Sequence, residues 1–127
     1  MSALLQKYQD TSRALGSLEE IIDTPFSIVV RDAAIQRFEY TVEVLWKYVK
    51  VYLSRQEGLE CYSPKSCIRE LLAVDVLEED DIVLALEMID DRNRTSHTYH
   101  EAIAESIYHK LPDYLALMQT ILQQLQP

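Results

Sequence analysis

The chain has 127 residues, 48% apolar and 26% charged, which is the make-up of a globular protein with material for one good core. A formal net charge of -9 and a pI near 4.7 repel polyanions at long range, so a broad nucleic-acid track is excluded while a local phosphate contact is not. Two glycines and four prolines are too few turn formers for a β-rich chain, and no basic leader or long apolar run suggests secretion or membrane spanning. The expectation is one cytoplasmic domain over residues 1–127, all-α, an up-and-down antiparallel bundle of about five helices with no membrane contact.

Residues 2–22 place Leu4, Tyr8, Thr11, Leu15, Leu18 and Ile22 three and four apart, one stripe of a helix that Pro25 ends. The second pattern, over 28–55, is the strongest. Ile35, Phe38, Val42, Leu45, Val49 and Tyr52 form its stripe, widened by Trp46 and Leu53. Uninterrupted by glycine or proline, it predicts a spine of about 40 Å. Trp46, Tyr40, Tyr48 and Tyr52 read as core or interface packing, and one edge of the stripe is wide enough to serve a dimer. Gly58 marks its end, and Ser63-Pro64 reads as an N-cap with proline at the first helical position. A short third helix to about Leu72 buries Cys67, Ile68, Leu71 and Leu72. Cys61 and Cys67, with no CxxC and no clustered histidines, are expected to be two reduced thiols.

A fourth helix over 79–91 carries Ile82, Leu86 and Ile89 on one face. Residues 78–91 hold seven acids and no base, and the early ones suit the positive end of the helix dipole. Asp90 and Asp91 lie at the other end, where they can hold the arginines that follow. The last helix runs from His100 or Glu101 to about Gln126, with Pro112 expected to kink or split it.

Between the last two helices lies Arg92-Asn93-Arg94-Thr95-Ser96-His97-Thr98-Tyr99. Arg92 is a permanent cation able to fork onto phosphate oxygens, and His97, five positions on, moves protons near neutrality. Tyr99 adds a phenol two residues further. One account is structural: the arginines neutralise acids of the fourth helix, Ser96 or Thr98 caps the last helix, and Tyr99 anchors the joint. The other is chemical. RNA carries its own nucleophile, the ribose 2′-hydroxyl, so His97 as proton-transfer group and Arg92 as the cation for phosphorane oxygens need no metal and no cofactor. Asn93 would orient an oxygen, and a symmetric dimer would bring two motifs to one groove. No glycine-rich phosphate loop, HExxH, GxSxG or EF-hand spacing is present, and His97, His100 and His109 have no paired ligand in register.

Arg92-Asn93-(three residues)-His97, extended by Tyr99, resembles the R-N-xxx-H and RxxxxHxY forms of HEPN domains. The run Asp32-Ala33-Ala34-Ile35-Gln36-Arg37-Phe38-Glu39-Tyr40-Thr41-Val42-Glu43 looks like the nucleotidyltransferase substrate-binding branch of that family. The likeness covers about residues 4–125. It implies a HEPN-like helical-bundle homodimer with the Arg-His motifs lining a cleft at the interface, and a partner encoded separately, a minimal nucleotidyltransferase. Two roles follow from the resemblance. One is a subunit binding the nucleotide or RNA substrate of that transferase, with Asn93, Arg94 and Tyr99 as contact residues. The other is a toxin-type, metal-independent ribonuclease in which Arg92 and His97 are catalytic, and which the transferase neutralises by adenylylating Tyr99. A bulky, negatively charged nucleotide on Tyr99 would block the cleft and compete for Arg92.

Overall fold

The protein, seen in a computed structural model that describes residues 2–127, is all-helical; no strand occurs among the described residues. Helix α1 spans Ala3–Ile22, α2 Ile28–Tyr52, α3 Pro64–Ala73, α4 Glu79–Asn93 and α5 Glu101–Gln124. Short links join them, as the scarcity of turn residues requires. Each of the first three starts has a local cause. Ser2 and Ser27 accept the backbone N–H groups of Leu5 and Val30, each at 3.0 Å, which satisfies donors that the first turn leaves open. Ser63 and Ser66 close a reciprocal capping box ahead of Pro64.

Helix α2 is the spine, touching all four other helices. Its stripe of Phe38, Val42, Leu45 and Val49 is fully or almost fully buried. Phe38 stacks on Tyr114 of α5 with ring centroids 5.5 Å apart, and the buried Tyr48 hydroxyl donates to the carbonyl of Leu125. Burial pushes the Tyr48 phenol well above its ordinary pKa, so it stays a neutral donor that ties the end of α5 to the spine. Tyr40, by contrast, is partly exposed and meets Ser17 of α1 through its hydroxyl.

Four expectations need correction. The α-helical part of α2 stops at Tyr52. Its last turn widens into a π-helical turn, Leu53–Glu57, before Gly58 ends it at φ 67°, a conformation that a residue without Cβ adopts at no steric cost. Leu72 is 39% exposed, because the short helix α3 buries only Ile68, Leu71 and Cys67. Pro112 does not split α5, which runs on unbroken past it; the ring lies on the exposed side, where the missing donor costs one bond only.

The last correction concerns the cysteines. Cys61 and Cys67 are joined in a disulfide, their Cα atoms 5.2 Å apart, and both are buried. The segment after Gly58 folds back onto α3, so residues six apart in sequence become neighbours. That proximity comes from the turn and has no signature in the spacing.

Candidate functional site

The motif occupies the end of α4 and the 3-10 turn Thr95–His97 that follows it. α4 runs two residues further than its apolar pattern indicates, so Arg92 and Asn93 are helical. The anchor beneath them is Asp91, only 2% exposed. Its carboxylate accepts from the buried Tyr114 hydroxyl at 2.5 Å, from Arg94 Nη1 at 2.9 Å and from Lys110 Nζ at 3.3 Å. Burial first, and then this carboxylate, raise the Tyr114 phenol far above its usual range. Lys110 is raised too, chiefly by its bond to Glu87. Asp90 turns the other way and pairs with Lys65 of α3 at 2.6 Å. The two acids at the unfavourable end of α4 are thus held by cations.

Arg92 lies at 3.0 Å from Glu43 of α2 through Nη2. It shares with Asn93, Glu43, Trp46, Pro64 and Ile89 an open cleft of about 160 Å³. Two buried donors at this cleft, Arg92 Nε and the Trp46 indole nitrogen, have no acceptor among the described residues. His97 and Tyr99 are exposed on the adjoining turn. His97 Nδ1 is 3.4 Å from the Tyr99 hydroxyl, a long contact in which an Nε2-protonated ring would accept a hydrogen bond from the phenol. The Tyr99 ring also lies 4.4 Å from that of His100. The structure therefore groups Arg92 with Asn93, His97 with Tyr99, and commits one arm of Arg94 to Asp91. Neither Ser96 nor Thr98 caps α5. Its N-cap is His100, which makes no side-chain capping bond, and Thr98 bonds back to the carbonyl of Thr95.

Three residues with a part in this geometry escape a reading of the sequence. Thr95 is buried, with its hydroxyl 2.9 Å from Glu39 and 2.7 Å from the carbonyl of Arg92, so one hydrogen is shared between α2 and the motif. Glu43 meets Arg92 from one turn further along α2. Arg31 is buried and binds Glu101 through both arms at 2.7 and 3.1 Å, Glu105 at 2.9 Å and Asp32 at 3.0 Å. These bonds raise its pKa, Glu101 contributing most, and Arg31 in turn holds the Glu101 carboxyl below its usual range. The clamp fixes the start of α5, two residues beyond Tyr99. Its only trace in the sequence is the i,i+4 spacing of Glu101 and Glu105, which is too common to single out.

A family model described as nucleotidyltransferase substrate binding protein like matches residues 6–127. The chain belongs to this family. A Haemophilus influenzae protein named probable ribonuclease HepT is 31% identical in an alignment of 97 residues that covers 73% of this chain and 65% of that protein. A crystal structure from Thermus thermophilus superposes with a TM-score of 0.89 at 47% identity, over 92% of this chain and 99% of that one. A second structure, from Haemophilus influenzae, is described as revealing the fold of a substrate binding domain of a nucleotidyltransferase. It superposes with a TM-score of 0.74 at 26% identity, over 94% of this chain and 99% of the other. The HEPN-like helical bundle and the substrate-binding family of nucleotidyltransferases are therefore this chain's own. No helix among the described residues is long and apolar enough to cross a membrane.

Proposed function

We propose that residues 1–127 act as one cytoplasmic domain that forms a homodimer, pairs with a separate minimal nucleotidyltransferase and binds that enzyme's nucleotide or RNA substrate at Arg92. The observation that carries this reading is the cleft in which Arg92 and Asn93 stand beside Trp46 and Glu43, with His97 and Tyr99 on the next turn. Arg92 would grip a phosphate oxygen, Asn93 would orient the group, and the Arg94 arms left free by Asp91 would add charge. Tyr99, 74% exposed, is open to contact or modification. The family description and the Haemophilus structure support the transferase as partner.

A second reading makes the chain a ribonuclease, and the exposed His97 beside Arg92's turn favours it, as does the name of the Haemophilus relative. The ribose 2′-oxygen would attack phosphorus while the bond to the 5′-oxygen breaks, leaving a 2′,3′-cyclic phosphate. His97 would move the proton and Arg92 would stabilise the phosphorane charge, with no metal required. In this reading, adenylylation of Tyr99 by the transferase silences the site, because the added phosphate lies next to His97.

One experiment addresses both. RNA is incubated with the purified chain in chelator beside Arg92→Ala and His97→Ala, and the same three proteins are mixed with the transferase and tested for complex formation. Complex formation with inert RNA supports the binding subunit. Cyclic-phosphate ends that vanish in both variants support the ribonuclease. A folded chain that neither cleaves RNA nor binds the transferase refutes both.

A further inference from the structure

Arg92 is the cation on which the proposed site depends, yet its guanidinium is already engaged. Nη2 is 3.0 Å from Glu43 Oε2, with the two side chains 30% and 34% exposed. Glu43 also faces Lys47 at 3.6 Å. One turn back on α2, Glu39 accepts from the Thr95 hydroxyl at 2.9 Å. Residues four apart share a helix face, so α2 presents two carboxylates to the motif, one at Arg92 and one at Thr95. Arg92 Nε is buried without an acceptor among the described residues. A carboxylate and a phosphate offer a guanidinium fork the same kind of oxygen acceptors. Glu43 thus stands where a phosphate gripping Arg92 through Nη2 would have to be.

We propose that Glu43 is an internal counter-ion that keeps Arg92 latent, and that the phosphate of a nucleotide engages Arg92 only by displacing the Glu43 carboxylate. This rests on the reading of Arg92 as the phosphate-binding group. Its consequence is an affinity threshold common to every phosphate ligand. An inorganic phosphate offers little beyond the Arg92 contact and meets a carboxylate already in place. A nucleotide phosphodiester brings a sugar and base whose contacts with the cleft walls offset the loss of the ion pair. The acidic surroundings that weaken a general attraction for polyanions then act at the site itself, where only a ligand with contacts beyond the phosphate binds well. A partly exposed ion pair of this kind sets a threshold of about two- to fivefold in affinity.

The cleft contains its own reporter. Trp46 is the sole tryptophan of the chain, and it lines the same cleft as Glu43 and Arg92. The test titrates the full chain with inorganic phosphate and with thymidylyl-thymidine, a dinucleotide with no 2′-hydroxyl to cleave. Trp46 fluorescence and the indole N–H resonance are followed in the wild type, Glu43→Gln, Arg92→Ala and the double variant. Glutamine keeps the shape of Glu43 at a partly exposed position, and melting curves verify that each variant is folded. Glu43→Gln is expected to bind both probes about two- to fivefold more tightly than the wild type, with the gain abolished in the double variant. Unchanged or weaker binding by Glu43→Gln, where Arg92→Ala still loses the dinucleotide, overturns the counter-ion role alone. If Arg92→Ala and the double variant bind both probes as well as the wild type, the phosphate role of Arg92 fails, and this proposal with it.

Discussion

Replacing Asp91 by alanine tests whether one buried carboxylate anchors the motif segment. The side chain is 2% exposed and serves three donors. Loss of the acceptor strands the Tyr114 hydroxyl, which is itself fully buried and whose remaining neighbour, Glu87, is 3.4 Å away. A buried bond to a charged acceptor contributes roughly 1.5–3 kcal/mol. Arg94 and Lys110 are 43% and 36% exposed, so water takes over much of their interaction, and each adds only about 0–1 kcal/mol. The expected loss is about 3 kcal/mol. For a chain of this size that lowers the melting temperature by roughly 10 °C. Calorimetry and urea unfolding at one fixed protein concentration measure it. Tyr114→Phe alone is expected to cost about 1.5 kcal/mol. The double variant should cost about as much as Asp91→Ala, because removal of the hydroxyl removes the stranded donor. A loss under about 1 kcal/mol for Asp91→Ala, or strict additivity in the double variant, would refute the reasoning.

Other consequences can be checked by direct measurement. Glu101 is held below its ordinary pKa of 4.5 by Arg31, and a carboxyl with a depressed folded-state pKa contributes stability above its unfolded pKa that is lost as pH falls through the folded one. The carboxyl resonance of Glu101 should therefore titrate below 4.5, return to the ordinary range in Arg31→Met, and take with it the part of the acid sensitivity that resides at the start of α5. Reducing the Cys61–Cys67 bond, or replacing both residues by serine, opens a short loop and should cost about 2 kcal/mol by chain entropy; mass spectrometry under alkylation reports the bond itself. Gly58→Ala should lose about 1 kcal/mol, since φ is 67° there with no steric neighbour to add to the backbone cost. Gly16→Ala, in the exposed middle of α1 with open space around its missing Cβ, should gain about 0.5–1 kcal/mol. Two alanines of opposite sign in one melting experiment separate backbone strain from packing.

The helices and the order in which they come were legible because apolar residues at three-four spacing leave few alternatives to an amphipathic helix. Leu4, Thr11, Leu15 and Leu18, Phe38 through Val49 and Ile107 through Ile121 lie in the core as their stripes require, with Tyr8 partly buried against it. Ser63-Pro64 marked a helix start because capping chemistry is local. The candidate motif was visible for the same reason, since Arg92, Asn93, His97 and Tyr99 fall within eight residues. The state of those side chains was not visible. Glu43 and Glu39 lie about fifty residues before the groups they hold, Tyr114 and Lys110 about twenty after Asp91, and Arg31 seventy before Glu101. Nothing in the spacing of one helix states which face of another it will meet.

Sequence by itself thus determined the helical class, the spine, the cap of α3 and the chemistry available at the turn after α4, because each depends on neighbours within a few residues. Tertiary structure alone decided that Arg92 is paired with Glu43, that Asp91 also holds Tyr114 and Lys110, that Arg31 clamps the start of α5 and that Cys61 meets Cys67. Apart from the disulfide, which the turn after Gly58 sets, those pairings are formed by packing helices together, and the free energy of an ion pair or a buried hydrogen bond depends on distances and burial that exist only once the bundle has formed.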